Sequence, residues 1–169
     1  MPVYQLRRIC YSRVGRGTFN LNFCTVANFT PLFRRESESL AFTNEPAAKW
    51  TAQPIVTRIA IRNSIIWGSI PDELLFSNGN DYAELTVRNT VLRTQRYKTG
   101  FDTNGNLINK DPKFKRPAGQ YADKFDYSLD TLSQVLDKAQ PFGGVGTDLL
   151  NRPRNSRTPD PGAYERLDP

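Results

Sequence analysis

The sequence predicts an all-β chain whose bent strands stack as successive coils over one shared core. Two stretches carry most of this. Ile59-Ala60-Ile61-Arg62-Asn63-Ser64-Ile65-Ile66 and Leu85-Thr86-Val87-Arg88-Asn89-Thr90-Val91-Leu92 match position by position as apolar, small, β-branched, Arg, Asn, hydroxyl, β-branched, apolar. A third copy, Thr18 to Ala27, places Phe19, Leu21 and Val26 on the apolar columns and Cys24 on the column of Ser64 and Thr90, departing at Phe23. Alternation, a bend and a second apolar run describe a strand that turns a corner and continues. Recurrence at roughly 20 to 50 residues marks stacked repeats, each unable to bury its apolar face alone. The 11 Gly and 12 Pro among 169 residues suit short strands joined by many turns.

Residues 1–17 form an irregular N-terminal segment, with Val3, Leu6, Ile9 and Val14 as its apolar points. It carries Arg7, Arg8, Arg13 and Arg16 but no apolar h-region, so the chain shows no export signal. Residues 18–129 carry the coils. The stretch 29–53 contains Arg34-Arg35-Glu36-Ser37-Glu38 and little periodicity, and reads as a loop insertion between the first two copies. Gly68 to Glu73 is a turn, Leu74-Leu75-Phe76 a short strand, and Asn78-Gly79 the centre of a second turn. Beyond Thr94 the apolar pattern thins. Gln95 to Gly105 reads as a polar loop, Leu107, Ile108 and Phe114 as isolated apolar points, and Phe125, Tyr127 and Leu129 as a final strand. Residues 130–169 form a loop-rich C-terminal cap.

Adjacent coils ~4.8 Å apart would stack each residue on its own kind. Asn63 and Asn89 then form a structural ladder, since Asn tolerates the left-handed conformation of a sharp bend and its amide can bond to the Asn above or below. A β-sandwich is the competing fold, because short strands and turns at this density are also its signature.

Composition excludes several classes of function. There are no histidines, which removes Ser-His and Cys-His catalysis and histidine metal sites. Cys10 and Cys24 match no metal spacing; one disulfide or a buried free thiol at Cys24 are both open. No metal site or cofactor is expected. Net charge is +6, yet no Lys/Arg run exceeds two residues and no nucleic-acid motif is present, so a solvated basic surface is favoured over nucleic-acid binding. No apolar run approaches the roughly 18 to 20 residues of a membrane span.

The repeat, with Asn63-Ser64-Ile65-Ile66-Trp67-Gly68, resembles the right-handed parallel β-helix (pectin-lyase-like) proteins exported by Bacteroidetes. Asn109-Lys110-Asp111-Pro112, Tyr127-Ser128-Leu129-Asp130, Asp148-Leu149-Leu150-Asn151-Arg152-Pro153-Arg154 and Thr158-Pro159-Asp160-Pro161-Gly162-Ala163-Tyr164-Glu165 resemble, in order, the choice-of-anchor Q cap of that class. The resemblance spans about 18–165. It departs at Ser133-Gln134-Val135-Leu136-Asp137, where the class has a proline after the serine. It implies a β-helix of about three coils, the C-terminal part of a longer exported protein, acting at the cell surface or outside the cell. Missing N-terminal coils, or self-association at the exposed coil edge, are its implied protein partners.

The function so implied is a non-catalytic carbohydrate-binding or surface-structural segment, with acidic polysaccharide as partner. The alternative is a fragment of a polysaccharide lyase or glycoside hydrolase, and only the lyase would call for Ca²⁺. Arg62 and Arg88 share one column opposite Ile61 and Val87. They are either a carboxylate- or sulfate-binding ladder or long side chains splayed into water. Trp67 and Tyr82 add sugar-stacking surface or pack at coil edges. Asp72-Glu73 and Asp81 with Glu84 read as acids on solvated loops. Asp160, Gly162, Tyr164 and Glu165 are cap residues with a structural role, Tyr164 covering the last coil. Arg152 and Arg154 are expected to pair with Asp148 or Asp160.

Overall fold

The structure, a computed structural model, describes residues 17–30, 32, 34–42, 57–77, 82–118, 120 and 124–166. The N-terminal segment up to residue 16, Cys10, the later part of the expected insertion, Asn78-Gly79 and Asp81 lie outside the described residues. Within them the chain is all-β and holds no helix. The strands are β1 Gly17–Asn22, β2 Thr25–Asn28, β3 Leu40–Phe42, β4 Thr57–Arg62, β5 Ile65–Gly68, β6 Leu74–Phe76, β7 Glu84–Arg88, β8 Val91–Leu92, β9 Leu107–Ile108, β10 Phe114–Arg116 and β11 Asp126–Leu129.

Nine of these strands lie in three parallel sheets, ordered β1-β4-β7, β2-β5-β8-β9 and β3-β6. The chain visits the sheets in turn and returns to each one strand further along. Leu21, Ile61 and Val87 occupy one row of the first sheet, and Thr25, Ile65, Val91 and Leu107 one row of the second. The repeat spacing read from the sequence is therefore the strand register. Parallel pairing between strands so far apart in sequence does not fit the hairpin-built sandwich. The antiparallel strand pair described is β10-β11.

Period-2 alternation decides which side chains go inside. Ile59, Ile61 and Val87 from the first sheet meet Ile66 and Leu92 from the second and Leu74 from the third, all essentially inaccessible to solvent. Phe42 and Phe76 stack at 5.6 Å between β3 and β6, and Tyr97 and Phe101 continue the aromatic column. Burying each such side chain contributes roughly 1.5–3 kcal/mol.

Each pass from the first sheet to the second turns a corner through one residue in the left-handed region, Phe23 (φ 51°), Asn63 (φ 51°) or Asn89 (φ 49°), and Gly105 (φ 69°) holds the corresponding place just before β9. The residue after each corner bonds to the neighbouring pass. Cys24 N–H donates to Ser64 Oγ (3.1 Å), Ser64 N–H to Thr90 Oγ1 (3.4 Å) and Thr90 N–H to Asn106 Oδ1 (2.9 Å). The Ser64 and Thr90 hydroxyls donate in turn to the carbonyls of Arg62 (2.6 Å) and Arg88 (2.9 Å). The side-chain ladder thus runs one residue beyond the asparagines. Asn63 itself donates to Asn22 Oδ1 and Gln140 O and accepts from Gln140 N–H, each at 3.0 Å.

Two sequence expectations change here. Asn104-Gly105-Asn106-Leu107-Ile108 is a fourth copy of the corner rather than a loop end with isolated apolar points. Its pass is short and its bend is carried by Gly, so the Asn-hydroxyl signature is absent. The expected insertion also contains β3, which three residues are too few to reveal by alternation.

The second sheet is covered on both faces. Ile66 and Leu92 point inward, while Ile65, Trp67 and Val91 point outward into a second core with Phe114, Tyr127, Leu129 and Val135. This explains why the sequence runs apolar without alternation after each bend. The chain beyond β9 therefore lies along the flank of the sheets. Gly162 (φ +92°) donates its N–H to Asn63 O (2.8 Å), and Ala163 N–H donates to Thr25 Oγ1 (2.9 Å). A Cβ at Gly162 would come within 2.6 Å of Thr25 Oγ1. Tyr164 joins the second core rather than covering the last coil.

The bend residues set a test. Asn89→Val puts a β-branched side chain where φ is 49°, a conformation costing L-residues about 1–2 kcal/mol. Urea unfolding is expected to show at least that loss for Asn89→Val and little change for Asn89→Gly.

A candidate binding cleft beside the second sheet

The column that leaves the second sheet on its outer face carries the chemistry. The β5-β8-β9 register, extended one residue past Ile66, Leu92 and Ile108, aligns Trp67, Arg93 and Asn109. All three line a cleft of about 700 Å³ beside β10, whose Phe114 and Lys115, with Lys113 just before the strand, line it too. That volume lies within the range of small-ligand sites. The Arg93 guanidinium sits over the Trp67 ring, 5.4 Å from its centroid, and also donates to Gly68 O. Phe114 packs edge-on against Phe29 (6.2 Å) and Tyr127 (5.4 Å), fixing the aromatic wall. Asn109 (φ 55°) is held by two hydrogen bonds to Thr94: its Oδ1 accepts from the Thr94 N–H (3.0 Å) and its Nδ2 donates to the Thr94 carbonyl (2.7 Å). Lys113 lies in the left-handed region (φ 47°), and its N–H donates to Asp111 Oδ1 at 2.8 Å. Asp111 and Asp130 line the same cleft.

The four contact residues read from the sequence are not brought together. Trp67 lines the cleft. Arg62 and Arg88 are direct cross-strand neighbours on the outer face of the first sheet, Arg62 half-buried with its guanidinium 5.9 Å from the Phe142 ring, Arg88 exposed. Tyr82 is tied into the inner core, with its hydroxyl 2.8 Å from the carbonyl oxygens of Phe42 and Ser77. Arg93 was missed, although it follows Trp67 at the repeat offset of 26 that separates Ser64 from Thr90. Phe29, Lys113 and Lys115 join through tertiary packing that no local pattern announces.

The acids are mostly structural. Glu73, expected on a solvated loop, is completely buried. It accepts from both Arg35 (2.5 Å) and the Ser39 hydroxyl, and from Ile70 N–H (3.0 Å), which pins the segment leading into β3. Asp72 Oδ1 accepts from Thr94 Oγ1 and the N–H groups of Gln95 and Arg96, each at 2.9 Å. Glu84 is exposed on β7. Among the described residues no group of three or more Cys, Asp or Glu side chains is placed to hold a metal ion. Cys24 is a free thiol, its pKa raised by burial against a smaller opposing hydrogen bond to Asn22 O.

The C-terminal acids and arginines form one connected latch. Arg152 pairs with Asp148 (2.6 Å) and Arg154 with Glu165 (3.1 Å). The Arg154 guanidinium covers the Phe23 ring at 4.1 Å and donates to Gly162 O (2.9 Å) and Asp160 O (3.3 Å). Asp160 Oδ1 and Oδ2 accept from the Asp137 and Arg166 amides (both 2.8 Å). Burial raises the pKa of Asp160 and of Glu165. Asp148 moves the other way: burial pushes its carboxyl up, but Arg152 and the amides of Glu165, Arg152 and Leu150 outweigh it and hold the group at about 2.

No helix of the described chain is long and apolar enough to cross a membrane. Comparison with protein-family models, curated proteins and solved structures finds no match.

The depressed Asp148 pKa has a defined sign. Its ionised form is the one stabilised by folding, so its contribution is complete above the ordinary carboxyl value of 3.8 and is lost as pH falls through about 2. The stability gap between wild type and Asp148→Asn, from urea unfolding at a series of pH values, is expected to be constant near neutrality and to narrow below pH 3.8.

Proposed function

We propose that this chain is a segment of a right-handed parallel β-helix of the pectin-lyase-like class, and that it binds acidic polysaccharide without cleaving it. Three features support the fold reading: cyclic visiting of three parallel sheets, an unbroken register, and a left-handed corner in every described pass. The flank segment that ends in Asp160, Gly162, Tyr164 and Glu165 would correspond to the cap of that class, and the site of action would be the cell surface or outside it.

The single observation behind the binding reading is the Trp67-Arg93-Asn109 column flanked by Lys113 and Lys115. The buried Trp67 ring holds the Arg93 guanidinium against it. That guanidinium and the ammonium groups beside it suit carboxylate or sulfate, while Asn109, bonded to the Thr94 backbone, shapes the wall. Asp111 and Asp130 in the same cleft favour the second reading, a lyase or hydrolase fragment. Against this, each carboxylate already accepts the backbone N–H two residues on, at 2.8 and 2.9 Å, as turn residues do.

Titration calorimetry with oligogalacturonate and with a neutral oligosaccharide of equal length tests the binding reading. Arg93→Ala and Lys113→Ala/Lys115→Ala are each expected to weaken oligogalacturonate binding by roughly tenfold or more, about 1.4 kcal/mol, and binding is expected to fall with salt. Arg62→Ala/Arg88→Ala serves as the control: loss of binding there moves the site to the arginine column on the first sheet. No binding by the wild type rejects the proposal. Release of shortened products, abolished by Asp111→Asn or Asp130→Asn, selects the enzyme reading instead.

A further inference from the structure

We infer that the buried Arg35–Glu73 pair is a positioning device for Arg93, the guanidinium of the cleft, and that it acts through Gly68. The role has a purpose only under the binding reading above. Arg93 follows the last residue of β8, and three hydrogen bonds fix it. Its N–H donates to Ile66 O and its carbonyl accepts from Glu73 N–H, each at 3.0 Å. Its side chain donates through Nη1 to Gly68 O, with the guanidinium over the Trp67 ring. Two of the three bonds lead back to Glu73, one directly and one by way of Gly68.

Gly68 is where β5 meets the pair. A Cβ there would collide with both Asn28 O and Glu73 Oε1, so only glycine lets the carboxylate lie against this backbone. Asn28 O accepts from Ser69 N–H (3.0 Å) and from Arg35 Nη2 (3.3 Å). The same Nη2 reaches both Glu73 carboxylate oxygens, at 2.5 and 2.6 Å, and so ties the end of β2 to the acid. Ile70 N–H donates to Glu73 Oε1 (3.0 Å) and the Ser39 hydroxyl to Oε2. The Arg35 and Glu73 side chains are 8% and 0% accessible. A buried ion pair adds little net stability over apolar residues of similar size. What this one supplies is direction. It gathers the end of β2, the turn after β5 and the residue before β3 around one point, and holds Gly68 O toward Arg93. A guanidinium carries five donors, so one bond to Gly68 leaves a fork for a ligand carboxylate.

The Trp67 indole N–H resonance, assigned by its loss in Trp67→Phe, reports the placement of Arg93 without any ligand, and Arg93→Ala marks its displaced position. Glu73→Gln leaves Arg35 buried without its partner. Arg35→Met/Glu73→Gln removes both charges at similar volume and is expected to stay folded by circular dichroism. Both variants are expected to move the Trp67 resonance toward its Arg93→Ala position and to weaken oligogalacturonate binding by roughly tenfold. Combined with Arg93→Ala, neither should weaken binding further, since a residue that acts through Arg93 then has nothing left to position. A Trp67 resonance unmoved in the folded variants, or a loss of affinity that adds in full to that of Arg93→Ala, would overturn the inference. If the wild type binds no oligogalacturonate, the binding reading falls. The Trp67 resonance then decides alone whether Arg93 is positioned from Glu73: movement supports it, and constancy overturns it.

Discussion

The left-handed corner between the first and second sheets is the constraint on which the remaining structure depends. A strand that turns sharply frees the N–H after the bend from its own ladder, and a buried, unpaired N–H costs about 1–3 kcal/mol. In this chain the side chain at the same corner of the next pass supplies the acceptor: Ser64 for Cys24, Thr90 for Ser64, Asn106 for Thr90. Each pass therefore completes the one before it, and the register cannot slip by one residue without losing these bonds and inverting every inward side chain. Where the bend residue is Phe23 rather than Asn or Gly, the conformational cost is offset by burial of its ring beneath Arg154.

Covering the outer face of the second sheet follows from the same corner. The bend sends Ile65 and Val91 outward and Ile66 and Leu92 inward, so an apolar surface on the outside must be shielded. The chain after β9 provides that shield, held by Gly162 against Asn63 and by Arg154 against Phe23. The cleft is the gap left where this layer meets the sheet. Its Trp67 and Arg93 come from the sheet and its Lys113 and Lys115 from the layer, whose β10 is paired with β11.

The parallel rows and the bend positions were readable in the residues because period-2 alternation and a fixed offset survive without tertiary information. Ile61 and Val87 are neighbours, as their shared column implied. The fourth corner escaped notice because Gly105 performs by backbone freedom what Asn63 and Asn89 perform by tolerance, leaving no shared letter in the sequence. Glu73 looked like a loop acid because nothing local reveals that Arg35, 38 residues earlier, folds onto it. The cleft was half visible: Trp67 stood out by residue type, and Arg93 was implied by the offset. The basic residues opposite them depend on where an aperiodic segment comes to rest. Tyr82 misled because an aromatic at a strand entry serves an inner core as readily as a surface.

Amide hydrogen exchange at Cys24, Ser64 and Thr90, followed by NMR in the wild type and in Ser64→Ala, tests the interlocked corner most directly. The account predicts slow exchange at all three amides in the wild type. In Ser64→Ala, Cys24 should exchange markedly faster while Thr90, whose acceptor is Asn106, remains protected. Fast exchange of Cys24 in the wild type, or protection there that survives removal of the Ser64 hydroxyl, would contradict it.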